Sequence, residues 1–455
     1  MNTRCVSSVA LVKPGLNMDR RRVVLQMGHQ LISTAIRKRR TICLTLALLT
    51  ASAFGQKSEL PRVNPADVGL SAEKLQRVRE IVQSAIDKNQ TPGVVVLIGR
   101  HGKVADLESF GQMDREAKRP MRPDAIFRIY SMTKPITTVA ALILIEQGKL
   151  GLDDPISKFI PEFADTKVYD RTVPAGVPTT TPITVRDLMR HTAGFTYGIP
   201  GGGPVDKTYM DSHVEDGREA LPSFVHQLAG LPLVSQPGTK FNYSVATDVL
   251  GRIIEIVSGQ TLDLFLRDRI FRPLGMRDTD FEISPKNLDR LTTNYWRPGA
   301  GLLNPTDVPQ RTRLLQRPVF LAGGGGLVST ARDYSRFCQM LLNKGKLGRV
   351  RILKPETVSE MTSNQLPPSA LPMTLGGFKV PGLGFGLGVS VRMSQSAGQA
   401  DPAAGEYGWS GSASTFFWVD PALDLYVVVL QQVEPISIGL QLGLEPAVLA
   451  AVEKR

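Results

Sequence analysis

Apolar and polar positions follow one another along this chain in a few distinct registers. Residues 71–88 (SAEKLQRVREIVQSAIDK) place apolar side chains at helical spacing behind Ser71, a good capping residue, and predict an amphipathic helix. Residues 93–111 (GVVVLIGRHGKVADLESFG) read apolar, turn, apolar, with His101-Gly102 turning a strand hairpin. The segment RIYSMTKPITTVAALIL opens at Arg128 and continues through Ile136, Val139, Ala140, Leu142, Ile143 and Leu144, which suits a buried helix. Residues 150–320 mix short helical patterns with loops such as TVPAGVPTTTP (172–182) and GIPGGGP (198–204). The segments between those loops are too short to be separate domains, so they are expected to be ordered rim loops. Residues 414–433 predict a second hairpin turning at Asp420-Pro421, and residues 438–454 a closing helix. Strands and a helix at both ends, around a mainly helical middle, predict an α+β fold. An antiparallel sheet is built from both chain ends and flanked by helices, with a mainly helical inserted subdomain. The helix near Ser131 then starts at their junction, where clefts form.

The charge alters this picture only at the N-terminus. Of the 455 residues, 42% are hydrophobic and 21% charged, ordinary for a globular protein. The net charge of +12 is uneven. Residues 1–56 hold nine of the 54 basic residues and one of the 42 acidic ones, Asp19, which leaves +4 for the rest. The body is therefore not a polyanion binder, and no nucleic-acid partner is expected. RKRR (37–40), TICLTLALLT (41–50) and ASA (51–53) have the order of an export signal, and the apolar stretch is too short to span a bilayer. The chain thus divides into an N-terminal extension with signal peptide (1–56) and one domain (57–455). The expected location is periplasmic or secreted, with no stable membrane partner; an uncleaved anchor is the alternative. Cys5 and Cys43 lie in the extension, so Cys338 alone remains and no intramolecular disulfide can form. Five histidines, with no H-E-x-x-H and no C-x-x-C, argue against a zinc site. No metal or cofactor is expected.

Candidate chemistry centres on Lys134. Carrying an ammonium toward a buried helix is costly unless a partner compensates it or its pKa falls. Ser131, three residues earlier, shares its helix face. A neutral amine beside a hydroxyl can accept its proton, and a helix N-terminus favours developing negative charge. The pair reads as an activated nucleophile of the Ser-Lys type. Alone, S-x-x-K is a weak signal, since a serine cap and a snorkelling lysine would look the same. No G-x-S-x-G occurs, so an α/β-hydrolase elbow has no support. GGGG (323–326) lacks the G-K-[ST] of a phosphate loop and reads as a tight turn lining the site, with Ser329 or Thr330 capping the next helix.

FRIYSMTKPIT, VRDLMRHTAGF (185–195), PGTKFNYSVATDVLGRIIE (237–255), AGGGGLVSTARDYSRF (322–337) and GEYGWSGSASTFFWVDP (405–421) follow one another. In that order they resemble the serine β-lactamase and penicillin-binding superfamily, nearest its class C-like branch that includes family VIII carboxylesterases. The resemblance runs from about Leu60 to Val433. It implies Ser131 as nucleophile with Lys134, and Tyr243 of YSV as the tyrosine of Y-x-N, which can shuttle the proton; whether Lys134 or Tyr243 is the base stays open. It implies an oxyanion hole from the backbone N–H groups of Ser131 and Ser412, and substrate contacts from Trp409, Ser410 and Gly411. Gly411 and Ser412, being small, are expected to let an acyl group approach. His191 of HTAGF is expected to be structural. Two departures count. Trp409 stands where the lactamases have a lysine, and Val245 where they have the asparagine of Y-x-N. Losing both disfavours anionic acylamido substrates, and the tryptophan offers an apolar wall. The implied activity is hydrolysis of a small-molecule carboxylic ester through an acyl-enzyme. Alternatives are a class C-like β-lactamase or D-alanyl-D-alanine peptidase, an acyltransferase, or a non-catalytic penicillin-binding sensor. Oligomeric state is left open.

Overall fold

A computed structural model describes residues 60–214, 216–393 and 404–453. The expected export signal lies outside the described residues.

Helix α1 (Ala72–Asp87) is capped by Ser71, whose hydroxyl accepts the Lys74 N–H at 3.3 Å, and buries Leu75, Val78, Val82 and Ala85. Strands β1 (Gly93–Arg100) and β2 (Lys103–Asp114) form the first hairpin, with short β3 (Arg119–Pro120) beside β2. Tyr130–Met132 is a single 3-10 turn, and α2 (Thr133–Glu146) follows it, buried from Thr133 through Leu144. The middle of the chain contributes α3 (Ala246–Ser258), then β4 (Asn294–Trp296), β5 (Asn304–Asp307) and α4 (Ala331–Leu342). The C-terminal part supplies β6 (Leu383–Phe385), β7 (Ser390–Arg392), β8 (Tyr407–Ser410), β9 (Phe416–Asp420), β10 (Leu425–Leu430), β11 (Val433–Glu434) and α5 (Gly439–Ala451).

The main sheet has eight antiparallel strands in the order β6-β7-β8-β9-β10-β1-β2-β3. β1 and β10 therefore join the two chain ends at its centre, with Leu97 opposite Val428 on one side and Leu107 on the other. Both strands are buried along their whole length, as continuous apolar runs require. Val94, Val96, Ile98, Phe416, Val427 and Val429 pack against α1 and α5. The alternate residues Val95, Leu97, Phe417, Val428 and Leu430 face the helical part, including α2 and α4. The predicted α+β architecture is the observed one. Thr330, not Ser329, caps α4, accepting the Asp333 N–H at 3.2 Å. A separate three-stranded sheet, in the order β11-β4-β5, pairs β11 parallel to β4.

Candidate active site

Ser131 lies in the 3-10 turn and Lys134 in the first turn of α2, and their side chains meet: Nζ stands 3.1 Å from Ser131 Oγ. Lys134 is fully buried. Its Nζ also donates to the Tyr197 hydroxyl at 2.8 Å and to the Gly324 carbonyl at 2.7 Å. Three acceptors match the three N–H bonds of an ammonium. The same geometry serves a neutral amine that donates twice and accepts from the serine hydroxyl. Proton transfer from Ser131 thus needs no rearrangement around Nζ. The amine also lies over two aromatic faces, 4.7 Å from the Tyr243 ring centre and 5.2 Å from that of Tyr197.

Tyr243 is brought to the same place but makes a different contact. Its hydroxyl accepts the Trp409 indole N–H at 3.2 Å, and its ring lies 5.3 Å from Trp409 and 5.4 Å from Tyr197. Tyr197, absent from the expected site, is the tyrosine bonded directly to Lys134. It follows HTAGF in a loop held by Asp206, which accepts from the Thr196 hydroxyl at 2.5 Å and the Ile199 N–H at 2.9 Å. The sequence signal for it is its place just before the loop GIPGGGP (198–204). His191 is structural in its surroundings. It is fully buried among Tyr243, Phe385 and Phe241, at ring distances of 4.7, 5.4 and 6.0 Å. Neither ring nitrogen has a hydrogen-bond partner among the described residues. Burial, and then the nearby Lys134 charge, push its imidazole well below the usual range, so it stays neutral. Without a carboxylate or serine contact it cannot act as a triad base.

The glycine run lines the site, as its composition suggested. Thr137 Oγ1 donates to the Gly323 carbonyl at 2.7 Å, and the Gly324 N–H donates to Asp248 Oδ1 at 2.8 Å. A Cβ on Gly324 would come within 2.8 Å of Asp248 Oδ2 and 3.2 Å of the Tyr197 hydroxyl, so a larger residue there would push on both side chains. Burial raises the Asp248 carboxyl above its ordinary range, against the opposing pull of Lys134.

Ser412 sits in a turn closed by the Ser414 N–H on the Gly411 carbonyl at 2.9 Å. Ser131 and Ser412 line one pocket of about 430 Å³. Its other walls include Tyr130, Tyr197, Phe224, Tyr243, Val245 and Phe320, with Phe224 and Phe320 packed 5.1 Å apart. Asp248 is the one lining residue that is an Asp, Glu, Lys or Arg. Trp409, Ser410 and Gly411, expected to touch substrate, are not among the walls. Trp409 instead reaches Tyr243. Ser410 Oγ lies 3.4 Å from Gln441 Oε1 of α5. The space a Gly411 side chain would take is filled by the Ile129 carbonyl and the Thr415 hydroxyl. Its smallness lets the Ser412 turn approach the Ser131 segment.

Comparison with known proteins agrees with this architecture. The Beta-lactamase family matches residues 78–436. Protein Rv1367c of Mycobacterium tuberculosis (strain ATCC 25618 / H37Rv) is 34% identical over 367 residues, 77% of this chain and 88% of that protein. Esterase EstB of Burkholderia gladioli is 29% identical over 406 residues, 85% of this chain and 98% of that protein. The solved structure of "EstCE1, a hydrolase with promiscuous acyltransferase activity" superposes with a TM-score of 0.71 at 32% identity, covering 83% of this chain and 98% of that one. The family match over residues 78–436, together with these relatives, places the chain in the Beta-lactamase family, as a β-lactamase-fold hydrolase related to esterases and acyltransferases.

Proposed function

We propose that the protein hydrolyses neutral carboxylic esters through an acyl-enzyme on Ser131. The observation that carries this reading is a Ser131–Lys134 pair opening into an aromatic pocket whose walls include no lysine or arginine. Such a pocket offers no lysine or arginine wall to take the carboxylate of a β-lactam or a peptide terminus. Ser131 Oγ attacks the acyl carbon and its proton passes to Lys134. The carbonyl oxygen becomes an oxyanion held by the Ser131 and Ser412 N–H groups. The proton returns, through Lys134 and the Tyr243 hydroxyl, to the departing alkoxide, which leaves as an alcohol. Water then attacks the acyl-enzyme and releases the acid, restoring Ser131. In this scheme Tyr197 holds Lys134 Nζ in register. An alcohol in place of water would give ester transfer, which the likeness to EstCE1 supports as a side reaction. Export by the N-terminal segment belongs to the same proposal.

The test compares p-nitrophenyl butyrate with nitrocefin for the wild type and Ser131→Ala. Ester turnover well above nitrocefin turnover, abolished in the variant, supports the proposal. Preferred nitrocefin turnover, or an active variant, overturns it.

A further inference from the structure

Tyr130, the residue before the nucleophile, has φ +43°, a left-handed conformation that an aromatic residue rarely adopts. Such a conformation persists only where its surroundings impose it. Here they come from the small sheet β11-β4-β5. The Tyr130 hydroxyl donates to Glu434 Oε1 of β11 at 2.6 Å, and Asn294 Nδ2 of β4 donates to that hydroxyl at 3.1 Å and to Glu434 Oε1 at 2.5 Å. Two residues earlier, Arg128 Nε donates to Asp307 of β5 at 2.8 Å, and its Nη1 to the Thr292 carbonyl at 2.8 Å. Both side chains flanking Ile129 are thus tied to one body.

The same sheet holds the other half of the site. The Val433 N–H donates to the Ala413 carbonyl at 3.1 Å, and Ser414 Oγ donates to the Val433 carbonyl at 2.7 Å. Val433 and Glu434 are adjacent. The nucleophile turn is therefore bonded to Glu434, and the turn carrying Ser412 to Val433.

We infer that the Tyr130–Glu434–Asn294 cluster is a brace that aims Ser131 at the Ser412 turn, with Tyr130 and Glu434 acting as positioning residues. The inference rests on the Ser131 acyl-enzyme reading for its chemistry, but not on the class of ester. Neither side chain exchanges a proton with substrate. The brace sets where Oγ stands relative to the N–H groups that receive the oxyanion. Misplacement of a reacting atom by about 1 Å costs up to about 100-fold in rate. Without the hydroxyl tether, the left-handed backbone can relax to negative φ, and Ser131 then swings with it.

The experiment uses the full chain, with Tyr130→Phe, Glu434→Ala and the double variant. Each is assayed for p-nitrophenyl butyrate kinetics, for the rate of covalent labelling by an alkyl fluorophosphonate, and for Tm. The expected result is a fall of about 10- to 100-fold in kcat and in labelling rate for each single variant. KM stays within about twofold and Tm within about 2 °C, and the double variant is no slower than the worse single one, because both break one tether. A single variant that labels at the wild-type rate overturns the inference, as does a double variant whose losses multiply, or a rate loss matched by a rise in KM. Labelling reads Ser131 without an ester. A wild type that ignores the ester, while its variants label slowly, would overturn the proposed function and leave the brace standing.

Discussion

Tyr197→Phe tests the wiring of the site. The substitution removes one oxygen, 2.8 Å from Lys134 Nζ, and leaves the ring over which the amine lies. Nζ keeps Ser131 Oγ at 3.1 Å and the Gly324 carbonyl at 2.7 Å, two acceptors for an ammonium with three N–H bonds. Lys134 has no solvent exposure, so bulk water does not replace the lost partner. An unsatisfied hydrogen bond to a buried charged donor costs about 1.5–3 kcal/mol. The cost falls most heavily where the amine has gained the serine proton, on the path to the tetrahedral intermediate, and so appears as a barrier. At about 1.4 kcal/mol per decade it amounts to a loss of about 10- to 150-fold in kcat. KM should move by less than about threefold, since the lost hydroxyl holds the lysine. Steady-state kinetics with p-nitrophenyl butyrate read the split. A kcat within twofold of wild type refutes the reasoning, because it would mean that the Tyr197 contact carries no part of the charge on Lys134.

Tyr243→Phe should be slower still, by about 10²–10⁴ in kcat if its hydroxyl passes the proton to the leaving group; the same assay ranks the two tyrosines. Trp409→Phe deletes the indole N–H that fixes the Tyr243 hydroxyl at 3.2 Å, and a hydrogen bond of about 1 kcal/mol predicts roughly a fivefold loss in kcat. Gly324→Ala places a Cβ against Asp248 Oδ2 and the Tyr197 hydroxyl; overpacking of about 1–3 kcal/mol should lower Tm and reduce activity together. Stability should also depend on pH. Burial, with Glu445 nearby, raises the Glu406 carboxyl from 4.5 to about 8. The folded state then holds a proton that the unfolded state has lost, so stability falls as pH rises from about 4.5 to 8. Thermal melts across that range should show the decline, and Glu406→Gln should flatten it.

Much of the fold is legible in local pattern because local pattern causes it. The apolar runs at 93–100 and 425–430 read as strands buried on both faces, as observed, and Ser71 caps its helix through atoms three residues away. Ser131 and Lys134 are legible for the same reason, being one helical turn apart. Tyr197 is not. Its contact with Lys134 depends on how a loop pinned by Asp206 folds over α2, which no short-range spacing encodes. Gly411 shows a second limit. Its need for smallness can be read from the sequence, but whether a substrate or the Ile129 carbonyl fills the space cannot. Trp409 shows a third: an aromatic near a site reads as a wall, and nothing in its spacing announces that its N–H also bonds the Tyr243 hydroxyl.

The position of β1 between β2 and β10 has a consequence for synthesis of the chain. β1 leaves the ribosome early, yet one of its two neighbours comes from residues 425–430, more than 300 residues later. Closing so long a loop is a late step in folding. The turn that carries Ser412 arrives in the same final stretch, about 280 residues behind Ser131. A nascent chain thus holds Ser131 and Lys134 long before Ser412 exists. On the proposed mechanism, the pair of N–H groups that receives the oxyanion is complete only once that last segment docks.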